Sequence, residues 1–204
     1  IPYVQQAVRV APYVDEALVW AILAKESTMG LYTGIPHGRY KGPMQITVIA
    51  RREINRAKDL DAWREHFKPL QDLLGAGRDL PENPNRNWTK PLESDEVNIM
   101  AGTLFMSYYL QNRRIRRIRP KSPQILPNDL EKSIRGYSQG PYSDATLWGP
   151  KASGYWKNIR GLLARVDRDL GSPVTTYPGK YKPPVKNFSH PDDDLQNDLQ
   201  TRQF

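Results

Sequence analysis

Apolar residues recur at helical spacing in several stretches of the chain. From Pro12 to Ser27, Val14, Ala17, Leu18, Ala21 and Ile22 return every three or four positions, and Gly30 supplies a stop. A second, more charged helix is predicted from about Thr47 to Phe67. Ser94 can cap a third, whose start carries Asp95 and Glu96 and whose Val97, Met100, Ala101, Leu104 and Tyr108 share a face. Asn128, with Glu131 as its capping-box partner, opens a fourth that carries Leu130, Ile134 and Tyr137 and ends at Gly140-Pro141. The last holds Tyr155, Ile159, Leu162, Leu163 and Val166. Between these lie a Gly- and Pro-rich loop or short hairpin at 31–43 and an irregular stretch at 68–93 whose apolar knot is Leu70, Leu73 and Leu74. Strand signals are weak throughout. The pattern predicts a mainly α domain over residues 1–170, with an insertion at about 51–93 read as solvated decoration, and an irregular Pro-rich tail over 171–204.

Composition narrows the chemistry. With 204 residues the chain buries enough surface to need no metal or disulfide staple, and it contains no cysteine. Its three histidines, His37, His66 and His190, are far apart, and no metal or cofactor motif is present, so no cofactor is expected. No apolar run reaches the length of a membrane span, and the chain as given carries no signal peptide. The net charge of +8 lies wholly within 1–170, because the tail balances four basic against four acidic residues. A basic domain prefers an anionic partner. The run Arg113–Lys121 (RRIRRIRPK) is read either as a solvated helix end or as a patch for an anionic envelope polymer. A nucleic-acid module is disfavoured, since no RNA-binding motif, zinc finger or basic zipper accompanies the charge.

Glu26 is the candidate proton donor. It follows Ile22 by four positions and Leu18 by eight, so it continues the apolar stripe at the end of its helix. Apolar neighbours and the negative end of the helix dipole both disfavour its ionised form. A carboxylic acid that keeps its proton near neutral pH can protonate a leaving glycosidic oxygen.

The stretches VDEALVWAILAKES (Val14–Ser27), GPMQIT (Gly42–Thr47), NIMAGTLFMSYYL (Asn98–Leu110) and RGYSQGP (Arg135–Pro141) follow one another in that order, and GYWKNI (Gly154–Ile159) closes the series. Together they resemble the lytic transglycosylase family, relatives of goose-type lysozyme with a lysozyme-like α-helical fold and a small loop or hairpin subregion. The resemblance implies Glu26 as the single catalytic acid and base, and Ser27 as a tie between the helix end and the loop below. It implies that Met44 and Gln45 line the sugar groove and that Tyr137 orients the Glu26 carboxyl. The family's serine-containing segment before the methionine is replaced here by PHGRYKG (Pro36–Gly42), so Thr33, His37 or Tyr40 stands in for its substrate contact.

Two-carboxylate hydrolysis needs a second acid across the cleft, and residues 27–52 contain neither Asp nor Glu. This favours a one-carboxylate route assisted by the substrate's N-acetyl group, which cuts peptidoglycan between N-acetylmuramic acid and N-acetylglucosamine and leaves a 1,6-anhydro sugar. A peptidoglycan hydrolase, or an inactive lysozyme-like binding or structural domain, is the alternative. Such a substrate places the protein in a periplasm, outside the cell, or in a phage particle or secretion apparatus.

Overall fold

A computed structural model of the chain describes residues 2–27, 42–82, 94–111, 127–139 and 150–170. Regular structure among the described residues is entirely helical: α1 (Pro2–Val10), α2 (Glu16–Ser27), α3 (Val48–Lys58), α4 (Asp61–Leu74), α5 (Asp95–Gln111), α6 (Pro127–Gln139) and α7 (Pro150–Leu170). The mainly α expectation holds. Residues 31–41 of the loop or hairpin expected at 31–43, Arg113–Lys121 and the tail from 171 lie outside the described residues.

Helix α5 is the axle of the fold. Every residue from Val97 to Leu110 is buried, and α1, α3, α4 and α6 all pack against it. The single apolar face expected from the sequence understates this, because Ile99, Phe105, Met106, Tyr109 and Leu110 fill the other sides. A helix that is apolar all round belongs in a core. Its buried polar side chains tie it to its surroundings: Asn98 holds the 42–45 turn, and the Ser107 hydroxyl donates to the carbonyl of Pro12. Helix α2 lies against α1 and α7, and α7 also packs on α6. The Asp15 carboxylate accepts from the Leu18 N–H at 2.8 Å, so α2 starts after Asp15 and not at Pro12.

Residues 51–82 of the region read as decoration contribute to the core. The one helix expected over 47–67 is two, split where Leu60 turns extended (φ −79°, ψ 131°). Thr47 caps α3 by accepting from the Ala50 N–H. Helix α4 runs through Pro69, which forfeits one backbone hydrogen bond, because Phe67, Leu70 and Leu74 form a buried stripe. The sequence reading stopped this helix two residues short of that proline and so missed the stripe. From α3 the side chains of Arg51, Asn55 and Lys58 pin the irregular stretch 79–82. Arg51 donates to the Pro81 carbonyl at 2.6 Å. Asn55 brackets Leu80, donating to its carbonyl at 2.8 Å and accepting from its N–H at 2.9 Å. Lys58 pairs with Asp79 at 2.8 Å. Glu131 binds Arg135 one turn on, and α6 begins at Pro127, so Asn128 lies within the helix and does not open it.

Candidate active site

The site is built on a turn that two distant side chains hold. Residues 42–45 reverse the chain, with the Gln45 N–H donating to the Gly42 carbonyl at 3.0 Å. Gly42 takes a φ of 70° and Gln45 one of 48°, the left-handed region that a glutamine enters at a cost. Gln45 offsets part of that cost by donating its side-chain amide to the same Gly42 carbonyl at 2.7 Å. Asn98 of α5 accepts from the Met44 N–H at 2.7 Å, and Tyr137 of α6 donates its hydroxyl to the Met44 carbonyl at 2.9 Å. Both backbone groups of Met44 are thus satisfied by side chains in a place where water cannot serve.

The Met44 side chain is fully buried and lies flat on α5 at Gly102. A Cβ at position 102 would stand 2.8 Å from the Met44 Cβ and Cε. Only glycine lets the turn come this close to the helix. What Met44 offers the site is its place in the frame, since its side chain faces the core. Gln45, half-buried, is the turn residue able to meet a ligand.

Glu26 sits in the last turn of α2, half-buried, and burial raises its carboxyl above the ordinary range. Two neighbours oppose that rise, the Tyr155 hydroxyl and the Lys25 ammonium, both of which favour the carboxylate. Among the described residues the charge that bears on Glu26 is that of Lys25. The balance leaves an acid that holds its proton above the usual pH and can still carry the negative charge once the proton has gone.

Two phenols lie within electrostatic reach of this carboxyl, Tyr155 buried and Tyr137 partly so. Burial and the Glu26 charge both push Tyr137 well up, so it stays a phenol and a donor, and the donated proton goes to Met44. Tyr155 of α7 is pushed up by the same two causes. Its hydroxyl is buried and no acceptor meets it at hydrogen-bond geometry, although it is near enough to act on Glu26. The contact is a loose one. Behind Tyr137 stands a wall of rings: Phe105 lies 6.0 Å from it by centroid, and Tyr109 packs edge-on to Phe105 at 4.6 Å. Trp63 and Tyr108 continue the wall at 4.7 Å.

Of the residues expected at the site, Glu26 and Tyr137 come within electrostatic reach of each other, and Tyr137 is joined to the turn carrying Met44 and Gln45. Ser27 is buried and donates to the Leu23 carbonyl at 3.0 Å, closing the last turn of α2. Tyr40, Thr33 and His37 lie outside the described residues. Sequence reasoning missed Tyr155 as a site residue and Asn98 and Gly102 as its supports. The stretches GYWKNI and NIMAG were noticed, yet Tyr155 falls on an apolar stripe and reads as core, and its proximity to Glu26 depends on how α7 crosses α2. Among the described residues no group of three His, Asp or Glu side chains is placed to hold a metal ion, and no helix is long and apolar enough to cross a membrane. Comparison with family models, curated proteins and solved structures gave no match to this chain.

Proposed function

We propose that the protein is a peptidoglycan lytic transglycosylase with a lysozyme-like fold, and that Glu26 acts alone as acid and base. The observation that carries this reading is a half-buried helix-end carboxyl, raised by burial, with two phenols, Tyr137 and Tyr155, within electrostatic reach of it. Protonated Glu26 delivers its proton to the glycosidic oxygen between N-acetylmuramic acid and N-acetylglucosamine. As that bond breaks, the N-acetyl carbonyl oxygen of the muramic residue bonds to C1 and carries the positive charge as an oxazolinium. The Glu26 carboxylate, favoured at this stage by the Tyr155 hydroxyl and Lys25, takes the proton from the C6 hydroxyl. The C6 oxygen then bonds to C1, the oxazolinium opens, and a 1,6-anhydro sugar forms. Proton count is balanced and no water is consumed.

The 42–45 turn supports the reading as a rigid lip. Its strained Gln45, held by Asn98 and Tyr137 through Met44, is suited to meeting polar groups of a sugar. The test is product analysis by mass spectrometry after digestion of purified sacculi. Anhydromuramic ends, absent with Glu26→Gln, are expected. Reducing muramic ends would make the protein a hydrolase, and unaltered sacculi would make it a binding or structural domain. The same substrate assigns it to a periplasm, the extracellular space, a phage particle or a secretion apparatus.

A further inference from the structure

A glutamine keeps a φ of 48° only where its surroundings leave it no alternative, so Gln45 has to be held from both sides. Upstream, Asn98 and Tyr137 fix the two backbone groups of Met44. Downstream, the chain passes through the buried Ile46 to Thr47, the cap of α3. There the Thr47 carbonyl accepts twice from one residue, from the Arg51 backbone N–H at 3.0 Å and from the Arg51 Nε at 3.3 Å. The same guanidinium donates through Nη1 to the Pro81 carbonyl at 2.6 Å, 30 residues further along the chain. The stretch it reaches is itself fastened to α3, by Asn55 at Leu80, by Lys58 at Asp79 and by Arg52 at Glu82. Arg51 is fully buried; burial works against its charge, and the Glu82 carboxylate supports it. An apolar side chain would fill that space without the desolvation of a cation. It could not bond carbonyls on two separate segments, as the planar fork of a guanidinium does.

We infer that Arg51 is a positioning residue for the lip: by tying the first turn of α3 to the 79–82 stretch, it holds Gln45 in the conformation that meets the sugar. The inference rests on the peptidoglycan reading for what Gln45 meets, and on the geometry alone for what holds it. Arg51 is buried and does not touch substrate, so its effect passes wholly through Gln45. Without the brace the downstream leg of the turn gains freedom, and the glutamine relaxes toward the backbone region it prefers. The loss then falls on the binding of the strand and leaves the proton transfers at Glu26 as they were.

Arg51→Lys keeps the charge and loses the fork. In this variant the Gln45 backbone amide, which donates to the Gly42 carbonyl, is expected to exchange with heavy water about tenfold faster than in wild type, the scale of one lost hydrogen bond to a charged group. KM for soluble glycan strands should rise by a similar factor while kcat holds. Gln45→Gly removes the side-chain amide and accepts the positive φ, so adding Arg51→Lys to it should leave KM where Gln45→Gly puts it. Asn55→Ala loosens 79–82 without touching Thr47; it should quicken exchange at Gln45 to a lesser degree, and it carries the test if Arg51→Lys does not fold. Leu70→Val, a purely structural loss on α4, should move neither exchange at Gln45 nor KM. Unchanged exchange at Gln45 in Arg51→Lys and Asn55→Ala overturns the inference, and so does a KM effect that persists in full beside Gln45→Gly. Faster exchange in a protein whose wild type leaves sacculi intact upholds the brace and brings down the peptidoglycan reading alone.

Discussion

Tyr137 donates its hydroxyl to the carbonyl of Met44 at 2.9 Å across 93 residues of chain. The bond joins the helix that backs the candidate acid to the turn that forms the lip of the site. Removing the donor in Tyr137→Phe leaves a carbonyl without its partner in a buried place, a loss of about 1 kcal/mol. Activity should fall further than stability does, because the lip shifts while the core stays packed. Denaturant melts beside sacculus-digestion rates check this.

The contact of Met44 with Gly102 predicts a sharper effect. In Gly102→Ala the new methyl lies 2.8 Å from the Met44 Cβ, an atom fixed to the backbone, so the turn itself must lift away from α5. Overpacking of this kind costs roughly 1–3 kcal/mol. A wild-type melting temperature in this variant would show that the turn does not sit where the geometry puts it.

Tyr155→Phe separates a site residue from a core residue. Its hydroxyl has no partner at hydrogen-bond geometry, so its removal should leave stability level or slightly raised. The same hydroxyl lowers the Glu26 pKa, so its loss should move the Glu26 limb of the pH–rate profile to higher pH. A drop in stability with an unmoved profile would assign Tyr155 to packing alone.

Glu26 and His66 bend the pH dependence of stability in opposite directions. The Glu26 pKa is raised on folding, so the folded form holds a proton the unfolded chain has released, and stability falls as pH rises from the unfolded value of 4.5 through the raised one. Glu26→Gln should therefore raise the melting temperature at pH 7 and lose this advantage below pH 4. The His66 pKa is lowered to about 4 by burial. Its Nε2 faces the Leu104 carbonyl at 2.9 Å and its Nδ1 the Gln111 amide at 3.3 Å, which suits a neutral ring with the proton on Nε2. The unfolded histidine takes up a proton below about pH 6.5, so stability drains away as pH falls from there toward 4, by at most about 3 kcal/mol. An NMR titration that shows His66 charging near pH 6.5 in the folded protein would contradict this packing.

Much of the helical plan is legible in the apolar spacing. Val14, Leu18 and Ile22 mark α2, Ser94 and Asp95 mark the start of α5, and Tyr155, Ile159 and Leu163 mark α7. Pro69 misled because a proline inside a helix is normally a stop, and here Phe67 and Leu70 bury enough apolar surface on either side to outweigh one lost hydrogen bond. Arg51 and Lys58 look like surface charges in the sequence; they are buried because the carbonyl of Pro81 and the carboxylate of Asp79 come to meet them. Helix α1 escaped notice because it buries only Val4 and Ala7, too short a stripe to register as a period.

By itself the sequence determined where the rods lie and that a carboxyl would continue the apolar stripe of the second one, since both follow from a repeat of three to four residues along a single segment. Tertiary structure decided the rest: that Asn98 and Tyr137 would grip Met44 from either side, that Gly102 would admit its side chain, and that Tyr155 would come up beneath Glu26. Those partners lie tens of residues apart, and no local period encodes which helix faces which. Their meeting is set by how α2, α5, α6 and α7 cross when the core closes.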